Sequence, residues 1–221
     1  METGTSGLNM RQSGEHETAL EGGWQTTVHR AGDTVLRSPG PQSETVIQLL
    51  QHLDAAGFRA APAPIGSGFA QDGREQLTYV EGLSPHPFEW TVEAAQQIGQ
   101  LLRSLHEATT DFEPPSNAVW KPWFARSLGG DKPVIGHGDL GPWNIMAQEA
   151  TPSGFIDWDN AGPVDATWEL AQVCWLNSQL HDDDVAARNH LSEASERIGR
   201  CAAILDGYEL ARSDREGLLE R

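Results

Sequence analysis

The chain has 221 residues and a formal net charge of −17. A surface this acidic does not attract a phosphate backbone or an anionic membrane, so we expect no nucleic-acid or membrane partner. No apolar run approaches the roughly 20 residues of a membrane span, and residues 1–23 lack the features of a signal peptide. The two cysteines are too few for a disulfide framework or a zinc site, which favours a reducing cytoplasmic location.

Two β-hairpins and one helix are predicted in the N-terminal third of the chain. Each hairpin consists of two β-prone runs joined by a turn that contains glycine. The four runs are 24–30, 33–37, 65–70 and 75–80. Between the hairpins, apolar residues at helical spacing predict a helix with Ser43 as its N-cap and Gly57 as its stop.

The stretch GLSPHP at 82–87 has the composition of a linker. It predicts a small β-rich lobe at 21–82 and a larger, mainly helical lobe at 83–221, with residues 1–20 as a mobile tail. In the second lobe, Thr91 is expected to cap a helix that buries Ile98, Leu101, Leu102 and Leu105. Beyond it we predict short strands at 133–136, 145–147 and 154–156, and helices at 164–180 and 185–209. The last helix is expected to bury Leu191, Ile198, Ala202 and Leu205.

Chemistry-bearing side chains concentrate in VIGHGDLGPWNIM at 134–146 and GFIDWD at 154–159. Asp139 offers a carboxylate that accepts a proton from a hydroxyl group. Asn144 and Asp157 offer a neutral and a charged oxygen, the kind of ligands that Mg²⁺ takes together with phosphate oxygens. Because phosphoryl transfer requires mainly positioning and charge neutralisation, the pattern predicts that reaction. The alternative is that Asp139 and Asn144 only cap turns, but it does not explain an aspartate directly after an apolar strand.

The spacing H-x-D-x-x-x-x-N, followed by Ile-Asp-Trp, resembles the aminoglycoside phosphotransferase family of kinase-like enzymes. The resemblance is good from about 75 to 180. It implies an α+β, two-lobed protein-kinase-like fold, with a small antiparallel β-sheet in the N-lobe and a mainly helical C-lobe. It also implies ATP and Mg²⁺ as cofactors. The implied roles are Asp139 as catalytic base, His137 as a brace of its loop, and Asn144 and Asp157 as magnesium ligands, with supporting roles for Asp159, Asp165 and Glu169.

The N-lobe departs from the kinase pattern, which has a strand lysine that contacts phosphate and pairs with a helix glutamate. Only Lys121 and Lys132 are present, and both follow the linker. Arg37 is the best substitute, with Glu44 as its partner, although Arg37 could equally be an exposed charge at a strand end. For the nucleotide, we assign the phosphate-covering loop to Gly22 and Gly23 and a backbone contact with adenine to Val80.

The leading functional hypothesis is an ATP- and Mg²⁺-dependent kinase with a nucleotide and a small-molecule acceptor as partners. The acceptor hydroxyl would belong to a polar compound, aminoglycoside-like or an amino alcohol. A cationic acceptor would suit residues 131–187, which hold ten acids and one base. Within this stretch, Asp182, Asp183 and Asp184 either face such an acceptor or form a solvated helix start.

Two other functions were weighed against this hypothesis. The missing lysine motivates a catalytically impaired, kinase-like nucleotide-binding protein. A magnesium-dependent phosphohydrolase that uses the same acidic residues is disfavoured, because the sequence shows no clear nucleophile arrangement. A protein kinase is disfavoured, because no arginine follows His137 and no Ala-Pro-Glu segment follows Asp157.

Overall fold

A computed structural model describes residues 16–20, 27–130, 132–216 and 218. Within these ranges the chain forms an N-terminal antiparallel sheet with one α-helix, and then two short two-stranded antiparallel sheets and four further α-helices. The strands are β1 Thr18–Leu20, β2 Val28–Ala31, β3 Thr34–Arg37, β4 Pro64–Phe69, β5 Glu75–Thr78, β6 Pro133–Gly136, β7 Ile145–Gln148, β8 Thr151–Phe155 and β9 Gly162–Asp165. The helices are α1 Ser43–Ala55, α2 Val92–Ala108, α3 Ala166–Ser178, α4 Asp183–Arg188 and α5 Ala194–Gly207. None of these helices is long and apolar enough to span a membrane.

The N-terminal sheet has the strand order β1-β2-β3-β5-β4. Both predicted hairpins form, as the antiparallel pairs β2–β3 and β4–β5. The prediction of a mobile tail is wrong for residues 18–20, which pair with β2. Glu17 explains the difference, because its two carboxylate oxygens accept hydrogen bonds from Arg74 at 2.8 and 2.9 Å. The beginning of the first predicted run, at 24–26, lies outside the described residues.

Helix α1 begins one residue earlier than the capping pattern predicts. Gln42 occupies the N-cap, and Ser43 is the first helical residue. The Ser43 hydroxyl accepts a hydrogen bond from the backbone of Gly40 and donates one to Glu75, so it is used in contacts outside the helix. The predicted stop is confirmed, since Gly57 follows the helix with a φ of 84°, a conformation that glycine adopts without strain.

The second lobe is built around α2, which packs mainly against α5 and has smaller contacts with β8, α3 and β6. Thr91 caps α2 as predicted, and its side chain accepts a hydrogen bond from the backbone of Ala94 at 3.1 Å. Strand β6 pairs with β9, and β7 pairs with β8. The sequence analysis missed β9. The backbone bridge between Leu83 and Ala147 connects the predicted linker to β7.

The prediction of one helix over 185–209 is wrong. The chain forms α4 and α5, and a turn with His190 at a φ of 54° separates them. Glu89 fixes this break by accepting hydrogen bonds from both the backbone and the hydroxyl of Ser192. The predicted apolar face is confirmed only at Leu205, because Ile198 is 61% exposed and Ala202 is also exposed. Helix α5 buries Arg197, Arg200, Cys201 and Ile204 as well.

Two glycines allow α2 and α5 to approach closely. A methyl group at Gly207 would overlap the carbonyl oxygen of Gln96, and one at Gly99 would overlap that of Ile204. We expect Gly207→Ala to lower the free energy of unfolding by about 1–3 kcal/mol through overpacking. Gly199→Ala, on the open side of the same helix, is the matched control, and it should raise stability by about 0.5–1 kcal/mol. Urea unfolding of both variants checks this, and equal effects would show that the helices do not meet at Gly207.

Candidate active site

His137 joins the two segments that carry the predicted chemistry. Its ring is fully buried. Nδ1 lies 3.3 Å from the backbone N–H of Asp139 and therefore accepts, which leaves Nε2 to donate to the carbonyl of Ile156 at 2.9 Å. Burial lowers the pKa of His137, which favours the neutral ring that this donor–acceptor pattern requires. The side chain thus holds the Asp139 loop against the residue before Asp157.

Asn144 holds the other end of this loop. Its side chain is buried, and the amide nitrogen donates to the backbone carbonyl of Asp139 at 2.8 Å and to its carboxylate at 3.2 Å. The amide oxygen consequently points away from Asp139. The backbone carbonyl of Asn144 accepts a hydrogen bond from the backbone N–H of Ile156 at 3.0 Å, so Asn144 lies beside the residue that precedes Asp157.

Asp157 has a left-handed backbone, with φ 60° and ψ 65°, and its side chain is 54% exposed. A non-glycine residue keeps this conformation only where its surroundings enforce it. The buried Trp158 anchors the turn by donating to the carbonyl of Phe155 at 3.0 Å. Arg126 donates to the carbonyls of Asn160 and Ala161, each at 2.9 Å. The turn therefore holds the carboxylate of Asp157 in an exposed position.

The residues present fit a divalent cation. Asn144 and Asp157 supply one amide oxygen and one carboxylate from hydrogen-bonded segments. Mg²⁺ is commonly held by one or two carboxylates, with water and substrate phosphates as its other ligands. Among the described residues, no group of three or more His, Cys, Asp or Glu side chains could hold a metal. A cation at Asp157 would thus depend on ligands that a bound nucleotide supplies.

Arg37 lies at the centre of a cluster of three carboxylates. It donates to Glu75 and to Asp159, the latter at 2.5 Å, and its guanidinium is 3.5 Å from Asp157. The side chain is only 12% exposed. Burial favours the neutral form, but Glu75 and Asp159 outweigh this effect and raise the pKa of Arg37 above its usual value. The cluster connects strand β3 to the turn that carries Asp157.

The predicted pairing of Arg37 with Glu44 is wrong. Glu44 is exposed on α1, whereas Glu75 stands directly opposite Arg37 in the β3–β5 ladder. Sequence reasoning missed Glu75 because β3 and β5 are separated by a helix and a strand. The register of that ladder was the only signal that could have identified it.

Behind the Asp139 loop lies a buried polar chain that the sequence analysis identified only in part. Glu169, given a supporting role, accepts the backbone N–H of Gly138 at 2.6 Å and contacts Nε2 of His106 at 2.7 Å. Nδ1 of His106 contacts the Tyr208 hydroxyl at 2.8 Å. Burial opposes ionisation of Glu169, but the hydrogen bonds from His106 and Gly138 prevail and lower its pKa. Burial raises the pKa of Tyr208 to about 12.

The remaining predicted residues fall at several places. Gly22 and Gly23 lie outside the described residues. Val80 follows β5 and packs against Gly154 of β8. Asp165 caps α3 by accepting from the backbone of Thr167 and Trp168. Asp182, Asp183 and Asp184 form the start of α4, and Cys174 is a buried free cysteine.

The buried His137 ring makes a prediction about pH. Its pKa is lower in the folded protein than in the unfolded chain. Below about pH 6.5, the His137 ring therefore binds a proton in the unfolded chain that it does not bind in the folded protein. Stability is therefore lost as pH falls, by at most about 1.4 kcal/mol per pH unit for this one group. In urea unfolding between pH 7.5 and 5.5, His137→Gln should show a shallower loss than the wild type. The exposed His181→Gln should follow the wild type, and equal slopes for all three proteins would contradict the assignment.

Comparisons with known proteins place the chain in a family. The model of the phosphotransferase enzyme family matches residues 116–204. The trifolitoxin immunity protein of Rhizobium leguminosarum bv. trifolii is 50% identical over 205 residues, which cover 93% of this chain and 78% of that protein.

Solved structures share the fold at low sequence identity. An amicoumacin kinase in complex with AMP-PNP and Ca²⁺ matches with a TM-score of 0.70 at 12% identity, covering 91% of this chain and 75% of that one. A microcompartment-associated aminopropanol kinase matches with a TM-score of 0.59 at 16% identity, covering 92% and 79%. These likenesses confirm the predicted two-lobed, kinase-like α+β fold. The chain belongs to the phosphotransferase enzyme family.

Proposed function

We propose that this protein transfers the γ-phosphoryl group of ATP, in the presence of Mg²⁺, to a hydroxyl group of a small polar molecule. Asp139 would accept the hydroxyl proton, and Asn144 and Asp157 would hold the cation. The observation that carries this proposal is the hydrogen-bonded unit around His137, which brings together the loops bearing these three residues. Within this unit, hydrogen bonds join the loop that carries Asp139 to the buried amide of Asn144 and to the residue before the exposed Asp157.

The lobe at 21–82 would bind the nucleotide, and residues 83–221 would supply the base and the acceptor site. Arg37 lies at the end of strand β3, and its contact with Asp157 places it beside the proposed metal ligand. We assign it to the nucleotide phosphates, with Glu75 as the residue that positions it. Gly22, Gly23 and Val80 keep their proposed nucleotide contacts. Structures of relatives with AMP-PNP or ADP support a nucleotide as the phosphoryl donor.

The names of the related proteins support a small hydroxyl-bearing acceptor. Aminopropanol, amicoumacin and spectinomycin occur in the names of kinases that share this fold. The relative with half of its residues identical is named for immunity to trifolitoxin. We therefore propose self-protection against a toxic compound as one biological setting for the phosphorylation.

A second candidate is a nucleotide-binding protein without phosphoryl transfer. It is favoured by the three carboxylates that surround Arg37, because they compete with phosphate for the same guanidinium.

One experiment separates the two candidates. The protein is incubated with ATP, Mg²⁺ and a panel of aminoglycosides, amino alcohols and choline-like alcohols, and both ADP release and phosphorylated product are measured. Calorimetric titration with an ATP analogue and Mg²⁺ runs in parallel. Acceptor-dependent product supports the kinase, and binding without product supports the second candidate. Absence of both would overturn the proposed function.

A further inference from the structure

A cavity opens where the chain leaves α3 and enters α4. It has a volume of about 380 Å³, within the range of small-molecule sites. Leu180 and Ile198 form apolar walls, and Asp182, Asp183 and Arg197 provide charged groups. None of these side chains takes part in the site described above.

Arg197 is the unusual member of this cavity. It is only 4% exposed, and its Nε and Nη1 atoms are buried without a hydrogen-bond partner among the described residues. The carboxylate nearest to it, that of Asp183, is 3.9 Å away from Nη2 and belongs to a fully exposed side chain. A buried cation that lacks a close partner is costly, so an anion that reaches it gains more than it would at the surface.

The neighbouring Arg200 on the same helix has close partners for Nη2, although its Nε is also buried without a partner among the described residues. It is buried to a similar degree, and its Nη2 donates to Glu89 at 2.6 Å and to Ser192 at 2.8 Å. Arg197 has no comparable contacts in the described part of the chain. The difference leaves the Nη2 side of the Arg197 guanidinium to a ligand of the cavity.

The charges around the cavity have two signs. Asp182 and Asp183 are exposed at its edge, whereas Asp184 is already paired with Arg188 at 2.8 Å. A simple anion would be repelled by the carboxylates of Asp182 and Asp183, and a simple cation would be repelled by Arg197. A molecule that carries both a carboxylate and an ammonium group satisfies both sets of charges.

The cavity lies close to the proposed reaction centre. Asn177, near the end of α3, donates to the carbonyl of Leu140 at 2.8 Å, and Leu140 directly follows Asp139. Leu180 lies three residues further along, beyond the end of α3 at Ser178, so the Cα atoms of Asn177 and Leu180 are at most about 11 Å apart. The end of α3 thus connects the cavity to the Asp139 loop over a short stretch of chain.

We propose that the acceptor is a zwitterionic, hydroxyl-bearing compound of the amino-acid type. Its carboxylate binds Arg197, and its ammonium group binds Asp182 and Asp183. This identification of the substrate class rests on the proposed function. In the transfer, the acceptor oxygen forms a bond to the γ-phosphorus of ATP, the bond to the ADP oxygen breaks, and the acceptor proton passes to Asp139.

Binding of three matched probes tests the proposal without requiring turnover. L-homoserine carries both charges, 3-amino-1-propanol carries only the ammonium group, and 4-hydroxybutanoate carries only the carboxylate. Calorimetry on the full chain with ADP and Mg²⁺ should show that L-homoserine binds at least about tenfold more tightly than each of the other two probes. Each of them lacks one charged group, and the loss of one charge-assisted hydrogen bond weakens binding by about that factor. Equal affinities, or no binding of L-homoserine, would overturn the proposal.

Variants then assign the effect to Arg197. Arg197→Met should remove the preference for L-homoserine over 3-amino-1-propanol, and Arg197→Lys, which keeps the charge but not the planar group, should weaken it. Arg188→Met, on the exposed side of α4, is the matched control and should leave it unchanged. A preference retained in Arg197→Met would contradict the assignment. Turnover with ATP is scored separately, so failure here leaves the proposed kinase activity to its own test.

Discussion

Asp139→Asn is expected to lower acceptor-dependent phosphoryl transfer by about a hundredfold to ten-thousandfold, the contribution usual for a positioned general base. The amide of the variant cannot take the hydroxyl proton at neutral pH. It still offers an oxygen to Asn144, whose side-chain nitrogen contacts the Asp139 carboxylate at 3.2 Å in the wild type. The loop should therefore keep its shape, and the loss should appear in kcat while the affinity for nucleotide stays close to that of the wild type.

Initial rates of ADP release with the best acceptor of the panel give the measurement, and calorimetry gives the nucleotide affinity. Asp111→Asn is the control of the same chemistry, because Asp111 is an exposed turn residue with no part in the proposed site. A rate within threefold of the wild type in Asp139→Asn would remove Asp139 as the base. Equal losses of rate and of nucleotide affinity would instead indicate that the substitution disturbs the whole loop.

Short sequence spacings were sufficient to predict the candidate site. Asp139, Asn144 and Asp157 lie within 19 residues of one another, and the backbone contacts around His137 connect segments that are also close in sequence. The hairpins and the α2 cap were predictable for the same reason, since turn and capping residues act over a few positions.

Features that depend on distant pairing were not predictable. Glu75 became the partner of Arg37 through a ladder between residues 38 positions apart, whereas the nearer Glu44 faces solvent. The break between α4 and α5 depends on Glu89, which lies 103 positions before Ser192. In both cases the local sequence favoured a different outcome, and a tertiary contact decided the structure.

The second large effect is expected from Arg37→Met. Glu75 is only 2% exposed, so removal of its arginine leaves a buried carboxylate whose remaining described partner is the Ser43 hydroxyl. Loss of one member of a buried ion pair costs about 3–5 kcal/mol of stability. Urea unfolding should show this loss, and an unchanged free energy of unfolding would mean that the cluster does not stabilise the fold.

The double variant Arg37→Met, Glu75→Gln separates the structural role of Arg37 from its proposed role in binding. A neutral glutamine no longer needs a counter-ion, so most of the lost stability should return. The affinity for a nucleotide triphosphate with Mg²⁺ should nevertheless remain about tenfold to a hundredfold below that of the wild type, because the phosphate contact is still missing. If the stabilised double variant bound the nucleotide as tightly as the wild type, the role of Arg37 would be only to connect strand β3 to the turn that carries Asp157. The nucleotide affinity of Arg37→Lys should fall between those of the wild type and the double variant. An ammonium group keeps the charge but cannot contact Glu75 and Asp159 as the planar guanidinium does.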